Sequence, residues 1–245
     1  MFDLTGRVAL VTGAGQGIGA GIAYALSQQG AQVAVNDLDF QRAMAIASDI
    51  DGTGRLARPI AFDVTNYDDV LAAVEAIGQV DILVNNAGNA GAGVLAPKRF
   101  RETEPEEWQN AIDVNLHGVM HCTRAVINGM CERGWGRIIT IASDAGRIGV
   151  TLGVSAYAAG KGGAISFMRH LAVENARSGV TANTIALGLM NSVDPERNAA
   201  AIAAIPVGRL GTPPDVGALV SYLASEEAAW MTGQLISLNG GQNTF

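Results

Sequence analysis

Tyr157 and Lys161 stand four residues apart, which on a helix puts both side chains on one face, one turn from each other. Free tyrosine, with a pKa of about 10, is a poor proton carrier at neutral pH. An ammonium one turn away favours the phenolate and should draw that pKa toward the working range. Upstream, Ser143 closes the apolar run Ile138-Ile139-Thr140-Ile141-Ala142. Its hydroxyl could hold a substrate oxygen while Tyr157 exchanges the proton. Tyr-x-x-x-Lys is equally one amphipathic turn of an ordinary helix, so the rest of the chain must decide. Of the 16 lysines and arginines only Lys98 and Lys161 are lysine, which makes a lysine at 161 less casual.

The elements that must position these residues alternate. An apolar, β-branched run at 7–12 leads at once into Gly13, Gly15, Gly17 and Gly19, then into a helical pattern (Ile18, Ile22, Ala25, Leu26) stopped by Gly30. Strand, glycine turn and helix place backbone N–H groups and a helix N-terminus against a pyrophosphate. A second strand, 32–36, ends in Asp37, near the interval at which a carboxylate accepts the ribose hydroxyls and repels a 2′-phosphate. No basic residue stands at 14 or 16 and Arg42 lies farther on, so NAD is expected rather than NADP. Further strands are expected at 56–62, 80–84, 137–142, 180–186 and 234–238.

Helices are expected between them. One covers 40–50, and a second is capped by Thr65 and Asp68. A long one opens at Thr103 and Glu106, with Trp108, Ile112, Leu116, Val119, Met120, Val126, Ile127 and Met130 as a single buried stripe. Another opens at Thr212-Pro213-Pro214-Asp215. The expected fold is α/β, a single doubly wound Rossmann domain over residues 1–245, its parallel sheet covered by helices on both faces.

Composition bounds the function. The 245 residues are 49% hydrophobic and 16% charged, enough for a sizeable core, and the net charge of −7 argues against nucleic acid or an anionic membrane as partner. No apolar run is long enough to cross a bilayer and no signal peptide is visible. Cys122 and Cys131 lack metal-type spacing and read as reduced thiols, which suits a cytoplasmic setting. His117 and His121, four apart, could share a metal, but no third ligand is evident and ordinary helix surface is expected. No metal site is expected.

In order and spacing the chain resembles the short-chain dehydrogenase/reductase family over essentially its whole length. The matching pieces are Thr12-Gly13-Ala14-Gly15-Gln16-Gly17-Ile18-Gly19, Asp63-Val64, Asn85-Asn86-Ala87-Gly88, Asn115, Ser143, Tyr157 with Lys161, Asn183, Gly188 and Asn239-Gly240-Gly241. The resemblance implies that Tyr157 is the general acid/base and that Ser143 orients the substrate oxygen. It implies that Lys161 binds the nicotinamide ribose and lowers the tyrosine pKa, and that Asn115 supports a proton relay; by its residues alone Asn115 could satisfy a helix break or face solvent. Gly13, Gln16, Gly17, Ile18, Gly19, Asp37, Asp63, Val64, Asn86, Ala87, Gly88 and Gly188 would bind the cofactor together with Tyr157 and Lys161.

The implied activity is NAD(H)-dependent interconversion of a secondary alcohol and a ketone. An alternative is an oxidoreductase of 3-oxoacyl or 3-hydroxyacyl thioesters on CoA or a carrier protein. A silent NAD-binding scaffold or redox sensor would need the glycine turn and Asp37 but no proton donor. By resemblance the chain is a homotetramer or dimer using the helices that begin near Glu106 and Ser155.

Three departures from the family pattern stand out. Leu187 replaces the usual proline before Gly188, the Ser143–Tyr157 interval is longer, and segment 89–101 is longer and carries Lys98-Arg99-Phe100-Arg101. These cations either receive an anionic part of the substrate or pair with Glu102, Glu104 and Glu106. The substrate pocket is expected from segments 89–101, 144–155 and 188–206, the last an alanine-rich apolar lid.

Overall fold

The expected strands assemble, in a computed structural model, into one seven-stranded sheet in which every pair is parallel. Residues 1–51, 56–88, 98–193, 196 and 198–244 are described; the parts of the expected pocket and lid at 89–97, 194, 195 and 197 lie outside them. The strands are β1 (Val8–Val11), β2 (Gln32–Asp37), β3 (Ala57–Ala61), β4 (Ile82–Asn85), β5 (Gly136–Ser143), β6 (Val180–Leu187) and β7 (Leu235–Leu238). The helices are α1 (Gly17–Gln28), α2 (Phe40–Ile50), α3 (Tyr67–Ile77), α4 (Glu106–Ile112), α5 (Gly118–Arg133), α6 (Ser155–Asn175), α7 (Ala199–Ala203) and α8 (Pro213–Ala224).

The sheet order is β3-β2-β1-β4-β5-β6-β7. Chain direction across the sheet reverses between β1 and β4, so the loops after these two strands open a crevice where ligands of such sheets bind. Because side chains alternate along a strand, the sheet splits its apolar residues between two cores. Val11, Val33, Val35, Ile139 and Ile185 face α1, α2 and α8, whereas Leu10, Ala34, Leu83, Ile138 and Ala182 face α3, α5 and α6. Both faces are covered, which is why the central strands read as unbroken apolar runs.

Three local expectations differ from what the chain adopts. Asn66, not Thr65, caps α3, accepting the N–H groups of Asp68 and Asp69, while Thr65 bonds back to Asp63. Thr103 does not cap α4: its hydroxyl donates to the Phe100 carbonyl and accepts the Trp108 indole N–H at 2.7 Å. The long helix is interrupted by a π-helical turn, Asp113–His117, between α4 and α5. The extra residue rotates α5 relative to α4, so the apolar stripe is not continuous and Met120 is exposed. Nothing in the residue types there, with neither glycine nor proline from 111 to 117, announces the change. Among the described residues no helix is long and apolar enough to cross a membrane.

Candidate active site

Ser143 is the last residue of β5, and Tyr157 and Lys161 occupy the first two turns of α6, so strand end and helix start converge on one point. The Ser143 side chain acts on the Tyr157 phenol, tending to lower its pKa. It also accepts the Ala145 N–H at 3.2 Å and so caps the short turn Asp144–Gly146. Lys161 is buried, and its Nζ donates to the Ile141 carbonyl at 2.8 Å, 5.9 Å from the centre of the Tyr157 ring.

The electrostatics differ from expectation. Burial pushes the Tyr157 phenol above its ordinary value of 10, and the Ser143 hydrogen bond only partly opposes this. Lys161 is not what lowers it. The lysine is itself desolvated, its pKa brought down from 10.5 to about 8, and its ammonium is turned toward a backbone carbonyl.

Asn115 sits in the π turn and is fully buried, its Nδ2 donating to the Ala111 carbonyl at 2.9 Å. It neither faces solvent nor lies far from the centre. A Cβ added to Gly88 would come 3.1 Å from Asn115 Oδ1 and 3.2 Å from Lys161 Nζ. A side chain at residue 88 would therefore have to push Asn115 and Lys161 aside by a few tenths of an ångström. Ser143, Tyr157, Lys161 and Asn115 are brought together.

The cofactor-binding candidates line the crevice beside them. Gly13 and Gly17 take φ of +60° and +55°, a region that L side chains avoid. A Cβ at Gly19 would meet the Gly13 carbonyl at 2.2 Å, so the first turn of α1 can close on β1 only with glycine there. Gln16 is the exposed N-cap of α1, and Ile18 packs partly against the core. Asn86 spends its side-chain amide on the Thr12 and Gly13 carbonyls (2.9 and 3.0 Å), and Thr12 Oγ1 accepts the N–H groups of Asn86 and Ala87. Asn86 thus braces the glycine turn.

Asp37 ends β2 with Oδ2 on the Gly15 N–H (3.2 Å) and Oδ1 on the Asp39 N–H (3.0 Å). Asp63 and Val64 follow β3, whose Ala61 pairs with Asp37; Asp63 accepts from Thr65, and Val64 packs over Gly118. Gly188 follows β6 and donates to the Leu238 carbonyl, while Leu187 continues the strand and is buried, pairing with Ser143 and Leu238. Leucine in place of proline keeps that strand end in register. Asn183 is structural, tied to the Met231 carbonyl and the Gln234 N–H.

The residues present fit a dinucleotide. Glycines hold backbone N–H groups open at the N-terminus of α1, and a carboxylate stands at the end of β2. Arg42, set aside from the sequence as lying farther on, comes close: although five residues beyond Asp37, it lies against Gly15, where an added Cβ would meet its Cβ at 2.7 Å. Leu189, Met190, Ile205, Val207 and Leu238, with Arg209 and Asp215, line a recess of about 170 Å³. Lys98 pairs with Glu107 (2.6 Å) and Arg101 with Glu102 (3.7 Å), both in solvent, which answers to the surface alternative for these two, with Glu107 a partner not foreseen. Arg99 is exposed. His117 bonds Asp113 (2.8 Å), a nearby carboxylate that the spacing of the histidines did not bring to notice, and His121 bonds the Val64 carbonyl. Among the described residues no group of three metal-ligating side chains occurs.

A family model for short chain dehydrogenases matches residues 7–201. The chain belongs to this family. It is 39% identical to the 3-oxoacyl-[acyl-carrier-protein] reductase FabG of Vibrio cholerae, over 98% of both chains. It is 41% identical to the acetoacetyl-CoA reductase of Rhizobium meliloti, over 96% of this chain and 98% of the relative. Among solved structures it superposes on a 3-oxoacyl-[acyl-carrier protein] reductase with bound NAD from Brucella melitensis with a TM-score of 0.92 at 35% identity, covering 98% of this chain and 92% of that one. A gluconate 5-dehydrogenase from Burkholderia cenocepacia J2315, in complex with NADP and tartrate, gives 0.90 at 31% identity, covering 98% and 96%. As a member of this family the chain is a nicotinamide-dependent oxidoreductase acting on CH–OH groups.

Proposed function

We propose that this protein reduces the ketone of a 3-oxoacyl thioester, on CoA or a carrier protein, to the secondary alcohol. The observation that carries the reading is the buried Tyr157 phenol on α6, on which Ser143 at the end of β5 acts. Burial favours its protonated form, the one that donates a proton to a carbonyl oxygen. The names of the Vibrio and Rhizobium relatives support the thioester. A short-chain secondary alcohol or ketone remains within the same chemistry, since the 3-oxo group is itself a ketone. A scaffold reading leaves the Ser143–Tyr157 pair without a purpose.

The nicotinamide, when bound, supplies or accepts the hydride at the carbinol carbon. Ser143 would hold the carbonyl oxygen by its hydroxyl, and Tyr157 would protonate that oxygen as it gains charge. Lys161, with its Nζ beside Gly88, would bind the nicotinamide ribose. Asn115, whose Oδ1 lies beside Gly88 as Lys161 Nζ does, would support a proton relay through water. The apolar recess against Leu238 would exclude water from one side of the substrate.

NAD is the cofactor proposed, because Asp37 sets a carboxylate beside Gly15 where a 2′-phosphate would be repelled. We read the chain as one domain over 1–245, in a reducing cytoplasm that suits its two free cysteines, and as a homodimer or tetramer through α4–α5 and α6. The test is a panel containing acetoacetyl-CoA, simple ketones and secondary alcohols, assayed with NADH, NADPH, NAD and NADP. Turnover of acetoacetyl-CoA above every simple ketone supports the reading; turnover of ketones alone replaces it by the broader one.

A further inference from the structure

Asp144, next in sequence to Ser143, is a buried carboxylate with no part in the proton transfer proposed above. Its Oδ2 accepts the side-chain amides of Asn239 at 2.8 Å and Asn243 at 3.0 Å, both from the segment after β7. Its Oδ1 lies 3.6 Å from Arg147 Nη1, and Arg147 in turn bonds the Ser237 hydroxyl on β7. The turn that begins at Asp144 is gripped from the other side by α6: a Cβ on Gly146 would come 2.9 Å from the Gly162 nitrogen and 3.0 Å from Lys161 Cβ. Ser143 caps this same turn through the Ala145 N–H. The turn is therefore wedged between the helix carrying Tyr157 and Lys161 and the segment after β7.

That segment also holds residues 205–207. Val207 donates to the Gly240 carbonyl at 3.1 Å, and Gly240 and Gly241 pack directly under Ile205 and Pro206. Asn239 steadies the segment itself, accepting the Gly241 N–H and donating to the Asn243 carbonyl. A continuous set of bonds thus runs from residue 207 through Asn239 to Asp144 and Ser143.

We propose that Asp144 is a positioning residue: clasped by the amides of Asn239 and Asn243, it fixes the 143–146 turn and thereby holds the Ser143 hydroxyl on the Tyr157 phenol. This rests on the proposed role of Tyr157. Loss of the clasp lets the turn shift, and misplacement of a positioning group by about 1 Å costs up to about 10²-fold in rate. It also weakens the action of Ser143 that lowers the phenol pKa, so the phenol ionises at higher pH.

The test compares Asp144→Ala, Asp144→Asn and Asn243→Ala with wild type and Tyr157→Phe. One readout needs no substrate: the near-ultraviolet absorbance titration of the protein, with the Tyr157 component isolated by subtracting Tyr157→Phe. The other is acetoacetyl-CoA reduction with NADH. In Asp144→Ala the Tyr157 component should move to higher pH and kcat should fall about 10- to 100-fold, with KM changed far less. Asp144→Asn still offers an oxygen to both amides and should restore most of both readouts. Asn243→Ala, which removes one bond from a half-buried tail residue, should move both in the same direction by less; it carries the test if Asp144→Ala does not fold. An Asp144→Ala protein that loses thermal stability alone, or an Asn243→Ala protein unchanged in both readouts, overturns the proposal. Retained turnover in Tyr157→Phe would sink the reading of Tyr157 instead, and the phenol titration would still report on the clasp.

Discussion

Lys161 keeps its Nζ 5.9 Å from the centre of the Tyr157 ring and gives its hydrogen bond to the Ile141 carbonyl at 2.8 Å. The pair is thus a helical neighbour pair without a direct bond, and Ser143 is the group that draws the phenol pKa down. Tyr157→Phe keeps the ring and its packing but removes the proton. Turnover should drop by about 10²–10⁴-fold while cofactor binding, followed by nucleotide fluorescence, persists. Turnover near wild type would contradict the assignment.

The buried ammonium has a measurable cost. Lys161 titrates near 8 in the folded chain and near 10.5 when unfolded, so between these values the unfolded chain binds the extra proton. Stability contributed by this group therefore rises as pH rises from about 8 to 10.5 and is lowest below 8. Lys161→Met removes the titration. Its stability relative to wild type should be most favourable at pH 7 and become less so by pH 10, by an amount on the order of a few kcal/mol. Urea unfolding at the two pH values checks this, and a pH-independent difference would show that the lysine is not desolvated. Loss of activity in the same variant would show what the stability cost supports.

Much of this arrangement was legible in the sequence because it rests on local rules. The apolar runs at β1, β2 and β5, the glycine turn after β1 and the alternation with helices fixed sheet class and crevice without tertiary information. The residues of the site were legible as spacings, Tyr157 to Lys161 above all. Environment was not. Burial sets the direction of the Tyr157 shift and depends on how α6 packs against β5, which no spacing encodes. The π turn that buries Asn115 lacks glycine or proline, and the clasp on Asp144 comes from residues about a hundred positions away.

Thr212 should behave as a cap with no chemistry. The Asp215 carboxylate accepts its N–H at 2.8 Å and its hydroxyl at 2.7 Å, and Arg209 forks onto the same carboxylate at 2.7 and 2.9 Å. Thr212→Ala removes the hydroxyl bond and leaves the backbone one, so a loss of about 1 kcal/mol is expected. Calorimetry should record it while kcat stays near wild type. A kinetic defect without destabilisation would give the residue a part in the site.

Asp37 and Arg42 should set coenzyme choice in opposite directions. Asp37 holds the Gly15 N–H at 3.2 Å, and the Arg42 side chain leaves its backbone against the same glycine, so a carboxylate and the stem of an arginine flank one point of the crevice. The carboxylate would accept ribose hydroxyls and repel a 2′-phosphate; the guanidinium, now 3.5 Å from Asp39, could turn to bind one. Asp37→Ala should therefore lower the ratio of kcat/KM for NADH over NADPH, mainly by weakening NADH binding. Arg42→Ala should raise the same ratio by weakening whatever NADPH use exists, and the double variant should fall between. Steady-state kinetics with both coenzymes on one ketone substrate measures all four proteins. A ratio unmoved by Asp37→Ala, or a wild type that already prefers NADPH, would transfer control to Arg42 and overturn the choice of NAD.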